Sequence, residues 1–324
     1  MNNYWLNKHL DQWRESLSSD RKPQAVIFNG SQGMGKSILL EQIIADLLCR
    51  ISTPACGECQ NCRLNHQGYH PDVDRLIPEN NLIKVKMIRS LTDFFISTPH
   101  CSDHKIAVIE EAHLMNPASA NALLKVLEEP PSRGLLFLVT DSKHRLMPTI
   151  RSRCISLNVM LNANEKQQLL PWLQQQGQWT ESHVLDALML TDWQPLTALD
   201  LLKSDGVEQF NQYLDLLYHS SIEKQSVSEV AKLLAEIESL ETWQLLHRYN
   251  SQLIKSLLKP NIPTISAKHP LNQLIKKKPK VLHIIVKFAD MINVIMINFN
   301  TQIKKQLLIE SLLIDLKRAL NRGS

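Results

Sequence analysis

An α/β domain followed by helical domains is the fold class the sequence predicts, and three observations predict it. Only nine of the 324 residues are glycine, under half the usual ~7%. So few glycines argue against folds rich in positive-φ turns, such as a β-sandwich or barrel. Short apolar runs alternate with helical spacing through the first half of the chain. Past about Leu157 the strand signals stop and helical spacing takes over.

The elements follow in order. Gln24-Ala25-Val26-Ile27-Phe28-Asn29 is an apolar run stopped by glycine, which predicts a buried strand. Lys36 to Leu48 has helical spacing at Ile38, Leu39, Ile43, Ile44 and Leu47. Lys105 to Ile109 reads as a second buried strand. Pro117 to Leu127 reads as a helix, with Asn116 as N-cap and Pro117 at its first position. Gly134 to Thr140 is a third strand. Strands separated by helices imply a mostly parallel sheet covered on both faces. Asn164 to Leu202 reads as a small group of helices. Glu208 to Leu320 reads as helical, broken between Pro260 and Pro270. The expected domains are 1–161, 162–205 and 206–324.

Composition bounds function loosely. Apolar residues make up 44% and charged residues 21%, and the net charge is +4, which by itself does not mark a nucleic-acid binder. The excess of positive charge lies at the end. Residues 269–324 hold 10 Lys/Arg against 3 Asp/Glu, densest in Lys276-Lys277-Lys278-Pro279-Lys280. A solvated loop and a phosphate-contacting patch both suit that run. Met1 to Leu10 has no apolar core of a signal peptide. Val281 to Phe299 carries His283, Lys287 and Asp290, so it reads as a buried amphipathic helix and not a membrane span. The expected location is intracellular. There the six cysteines are metal ligands or plain thiols in preference to disulfides.

A third of the glycine falls within six residues. Gly30-Ser31-Gln32-Gly33-Met34-Gly35-Lys36-Ser37 fits G-x-x-x-x-G-K-[ST], after a predicted strand and before a predicted helix. Glycines at Gly30, Gly33 and Gly35 let backbone N–H groups of Ser31 to Met34 point inward at phosphate oxygens. The helix N-terminus adds partial positive charge. Lys36 reaches β and γ phosphates, and the Ser37 hydroxyl ligates Mg²⁺. ATP or ADP with Mg²⁺ is the expected ligand. The second strand ends in Glu110-Glu111. Glu111 suits a carboxylate that polarises water, while Glu110 stands where Asp is expected. Its extra methylene displaces the carboxylate by ~1 Å, enough to weaken catalysis that depends on position. Binding is therefore expected more firmly than turnover. Thr140 either contacts the γ-phosphate or is an ordinary strand-end residue.

Cys49, Cys56, Cys59 and Cys62 read C-x6-C-x2-C-x2-C, with Gly57 in a tight knuckle. Four thiolates so spaced suit a closed, structural Zn²⁺ site at 49–62. An iron–sulfur cluster is the alternative for the same set. Cys101 and Cys154 lie outside it.

Ala120-Asn121-Ala122-Leu123-Leu124-Lys125-Val126-Leu127-Glu128-Glu129-Pro130-Pro131 and Ser152-Arg153-Cys154 resemble bacterial DNA polymerase III clamp-loader subunits, which are AAA+ proteins. The cysteine insertion, His70-Pro71-Asp72 and Leu307 to Leu313 resemble the same family. The resemblance implies a P-loop domain, a helical lid and an oligomerising collar. It implies replication in the bacterial cytoplasm, within a ring holding gamma/tau and delta subunits, a sliding clamp and primed DNA. It implies that Arg153 acts as an arginine finger in a neighbour's ATP site; a surface Arg paired with a local carboxylate is the alternative. Two branches compete. The gamma/tau motor has Asp at the position of Glu110 and a lid arginine where this chain has Leu196. Both departures, and an end near the collar, resemble the rigid delta-prime branch; intact Lys36 resembles the motor. Weak or absent ATPase and no polymerase site are expected of the chain itself. A stand-alone DNA-binding AAA+ protein is a third reading.

Overall fold

The computed structural model describes residues 3–17, 23–221, 226–237, 239–259, 265–277, 281–299 and 305–321. The expected break at Pro260-Asn261-Ile262-Pro263, and Lys278-Pro279-Lys280 of the basic run, lie outside those residues. The chain forms two units, Met1–Glu165 and Lys166–Ser324.

Five strands, all parallel, build the sheet of the first unit: β1 (Ala25–Asn29), β2 (Val73–Leu76), β3 (Lys105–Ile109), β4 (Gly134–Thr140) and β5 (Ile155–Asn158), in the order β2-β3-β4-β1-β5. The sequence predicts three of them. Every residue of β3 and β4 is buried, so each reads as an unbroken apolar run. The two missed strands are the edges. β2 carries Asp74 and Arg75, and β5 exposes Ile155 to solvent, so neither shows that signature.

Alternate residues serve opposite faces. Ile27, Ala107, Ile109, Leu136 and Leu138 join one cluster with Ile88 and Leu91 of α4 (Val85–Ile96) and Leu123 and Val126 of α5 (Pro117–Glu128). Phe28 and Phe137 meet edge to face at 5.6 Å, and Trp13 of α1 (Tyr4–Leu17) packs on Phe137 at 5.8 Å. Helix α2 (Lys36–Leu48) follows β1, as the spacing predicts. Asn116 caps α5 by accepting from Ser119 N–H, with Pro117 at the first turn. Two short helices complete the unit, α3 (Gln60–His66) and α6 (Pro148–Arg151). Helix α7 (Ala163–Gln176) starts at its end.

In the second unit every described element is helical: α8 (Glu181–Leu190), α9 (Pro195–Lys203), α10 (Gly206–Ser221), α11 (Val227–Ala235), α12 (Leu240–Leu258), α13 (Pro270–Lys276), α14 (Leu282–Ile297) and α15 (Lys305–Asn321). One apolar cluster runs from Met189 to Leu320 and includes Phe210, Trp243, Tyr249 and Ile292. The span expected to be amphipathic is α14; it buries Ile284, Ile285 and Ile295 and exposes Val286 and Ile297. Among the described residues no helix is long and apolar enough to cross a membrane.

Candidate functional site

The loop Gly30 to Gly35 joins the carboxyl end of β1 to α2. Gly33 and Gly35 have φ of 75° and 90°, the left-handed region that lets successive N–H groups converge. Gly35 is also constrained from outside, because a Cβ there would stand 3.1 Å from Leu6 of α1. The Trp5 indole donates to the Met34 carbonyl at 2.9 Å, so α1 braces the loop. Ser31 and Ser37 face solvent.

Lys36 is buried at the start of α2. Its ammonium donates to the carbonyls of Gly30 at 2.6 Å and Ser31 at 3.0 Å, and to Asp141 Oδ1 at 2.5 Å. Asp141 follows β4 directly and is absent from the sequence-based set. Thr140, just before it, is buried; its Oγ1 lies 3.2 Å from His113 Nδ1 and accepts from Ser142 N–H. Burial, with Arg145 nearby, pulls the His113 imidazole below its usual range.

Glu110 and Glu111 follow β3 at the same sheet edge. Glu111 is exposed and holds a left-handed φ of 46°, a strained setting for a side chain of its size. Glu110 is partly buried, and its carboxyl is raised by that burial in spite of Arg75. Arg75 of β2 lies 3.9 Å from Glu110 Oε1 and 2.7 Å from Glu41 Oε1. Sequence reasoning missed Arg75 because β2 itself was missed. The arrangement fits phosphates on the loop backbone. Glu110, the carboxylate that stands where a metal-supporting Asp is expected, has a guanidinium 3.9 Å away.

Arg153 lies at the opposite edge of the same sheet. It precedes β5, whereas the phosphate loop follows β1, and the two strands are parallel. It lines a cavity of about 230 Å³ with Gln24, Ala25 and Gly134, which mark the amino ends of β1 and β4. Its guanidinium donates to Glu128 Oε1 at 2.8 Å and to the Thr149 carbonyl at 3.0 Å. Leu196 belongs to α9 of the second unit.

The four cysteines of 49–62 converge. Cys49 Sγ lies 3.7 Å from Cys56 Sγ, and Cys56 Sγ lies 3.9 Å from Cys62 Sγ; all four sulfurs fall within 4.8 Å of one another. A tetrahedron with metal–sulfur bonds of ~2.3 Å needs sulfurs ~3.8 Å apart, so the set fits one ion. The Cys56, Cys59 and Cys62 amides each donate to a cluster sulfur at 3.4–3.5 Å. Burial would raise the Cys49 thiol, but amides of Cys56, Ser52 and Ile51 outweigh it and bring it down to about 6. The Cys62 amide draws Cys59 down, while burial and its neighbours push Cys62 up to about 12. Sulfurs so placed cannot all ionise without a cation. Buried Asp46 secures the module to the sheet unit, accepting from Ala55 N–H and Arg14 Nε, each at 2.8 Å.

A second group, His70, Asp72 and Cys101, is already satisfied. Asp72 accepts from the amides of His100, Cys101 and Ser102 and from the Ser102 hydroxyl. His70 Nδ1 accepts from Asp72 N–H.

Comparison with known proteins bears on the first unit above all. The family described as DNA polymerase III, delta subunit, matches residues 5–163. A Pseudomonas aeruginosa protein named DNA polymerase III subunit delta' is 35% identical over 207 residues, 61% of this chain and 62% of that one. Its Escherichia coli namesake is 33% identical over 206 residues, 62% of this chain and 61% of its own. The DNA polymerase III subunit tau of Salmonella typhimurium is 35% identical over 145 residues, 44% of this chain and 22% of its own. The chain thus spans about three fifths of the length of the first two relatives.

Proposed function

We propose, from the similarity to the DNA polymerase III delta-prime proteins, that this chain is the delta-prime subunit of a bacterial sliding-clamp loader. In this reading gamma/tau and delta subunits are its neighbours in a ring, and the ring loads a clamp on primed DNA. Its own task is to hold the ring and to supply Arg153 to a neighbour's ATP site.

One observation carries the reading. Arg153 and the phosphate loop occupy opposite edges of one parallel sheet. The five residues of β1 span ~16 Å. That distance keeps Arg153 from its own loop and supports a role toward a phosphate held by another chain. A planar, permanent cation suits charge that develops on a transferring phosphoryl group. To reach out, Arg153 exchanges Glu128 for that phosphate. Cys49, Cys56, Cys59 and Cys62 hold a structural Zn²⁺ that fixes the loop after α2; a closed set of four leaves no position for catalysis. The lid is 162–205 and the collar 206–324.

The test is ATP turnover by the reconstituted complex with clamp and primed DNA. Arg153→Ala lowers it by at least about a hundredfold at one site, with assembly intact by size-exclusion chromatography. Unchanged turnover would reject the role. The intact loop and Lys36 favour a second reading, a gamma/tau-like motor. That reading requires the chain alone to hydrolyse ATP in a manner abolished by Lys36→Ala.

A further inference from the structure

The charges around the phosphate loop are compensated from within the chain. An ammonium has three N–H donors, and all three of Lys36 are engaged, by Gly30, Ser31 and Asp141. The lysine side chain is 8% exposed and its carboxylate partner 49% exposed. Asp141 is therefore the more open member of the pair, between the ammonium and solvent. Arg75 stands between two carboxylates, 2.7 Å from Glu41 and 3.9 Å from Glu110.

We propose that Asp141 determines specificity at this loop: it admits a nucleoside diphosphate and disfavours the triphosphate. The inference rests on reading the loop as a phosphate cradle. A diphosphate draws chiefly on converging backbone N–H groups, which Asp141 leaves free, and comes to Lys36 through its β phosphate alone. A third phosphate must approach Lys36, where it meets a carboxylate of like charge. Separated by ~4 Å near a protein surface, two such charges repel strongly enough to alter affinity at least about tenfold. Magnesium brings little relief. It would bind through the Ser37 hydroxyl and the phosphates themselves, and Glu110, with the Arg75 guanidinium 3.9 Å away, is a poor carboxylate to add to its shell. Nothing in the loop motif itself encodes this preference. It arises from one residue placed after β4 and one placed within β2.

The experiment measures binding of fluorescent N-methylanthraniloyl ADP and ATP to the full chain, with Mg²⁺ and with EDTA. The unmodified chain is expected to bind ADP at least about tenfold more tightly than ATP, with little change on adding Mg²⁺. Asp141→Asn keeps a group of the same shape and removes its charge. It is expected to bring the two affinities within about threefold of each other, mainly by tightening ATP. Lys36→Ala in the Asp141→Asn background is expected to lose that gain, with the circular dichroism of both variants unchanged. An ATP-to-ADP ratio that is the same with and without Asp141→Asn overturns the proposal and leaves the phosphate cradle standing. Failure of either nucleotide to bind either protein at millimolar concentration overturns the cradle as well.

Discussion

Replacing Asp72 with Asn tests the clamp that joins the β2 and β3 edge. Asp72 is fully buried just before β2. Burial by itself would raise its carboxyl. Amides of His100, Cys101 and Ser102 and the Ser102 hydroxyl outweigh it and hold the group at about 2, against an ordinary 3.8. A shift of nearly two units is worth about 2.5 kcal/mol. The folded value is depressed, so the stabilisation is complete above the ordinary value and disappears as pH falls through about 2. An Asn offers one accepting oxygen to four donors and turns an amide N–H₂ toward the others, at a cost of about 2–4 kcal/mol at pH 7. Urea unfolding of the two proteins at pH 7 and pH 3 measures the difference. Other carboxylates titrate in both and cancel to first order. The gap between parent and Asp72→Asn should narrow by about 1 kcal/mol at pH 3, where the carboxylate has given up nearly half its contribution. A gap that stays constant across that range would refute the attribution to an ionised Asp72.

Further expectations concern the zinc module, the loop and the brace between them. Metal analysis should find one zinc per chain, with mercurial titration releasing it and a colourless protein excluding an iron–sulfur cluster. Cys62→Ser should loosen the metal without altering the β3–β4 amides in hydrogen exchange. Asp46→Ala strands the Ala55 amide and takes one partner from the half-buried Arg14, and should destabilise the first unit by about 1–3 kcal/mol in thermal unfolding. Gly35→Ala combines a left-handed φ with a contact at 3.1 Å, and should cost about 1–3 kcal/mol while weakening ADP binding; unaltered stability would show that the loop relaxes.

The parts of this molecule legible in its sequence are those whose chemistry is local. Gly30 to Ser37 encodes a turn and a helix start within eight residues, and the cysteine spacing encodes a closed knuckle within fourteen. Buried central strands announce themselves as apolar runs. Edge strands do not, and losing β2 also hid Arg75, whose significance depends on lying beside Glu110. Asp141 was hidden for a related reason. It is 105 residues from Lys36, and only the β1–β4 pairing brings them together. Ser152-Arg153-Cys154 could be read as a motif, yet its place at the amino edge follows from strand direction alone, which no local pattern carries.

The two cations of interest are restrained to very different degrees, and the difference bears on the proposed division of labour. Arg153 and Glu128 are 37% and 52% exposed. A pair that open to water contributes about 0–1 kcal/mol, so exchanging Glu128 for a phosphate on another chain meets almost no opposition. Lys36 is 8% exposed and spends every donor inside its own chain. Detaching a partner from a buried ammonium is far more expensive, because the charge left behind is poorly solvated. On the proposed reading, a triphosphate would meet that penalty at the carboxyl edge, while a neighbour's triphosphate would meet almost none at the amino edge. One fold thus holds its own cation tightly and the other loosely, the difference that the proposed role for Arg153 requires.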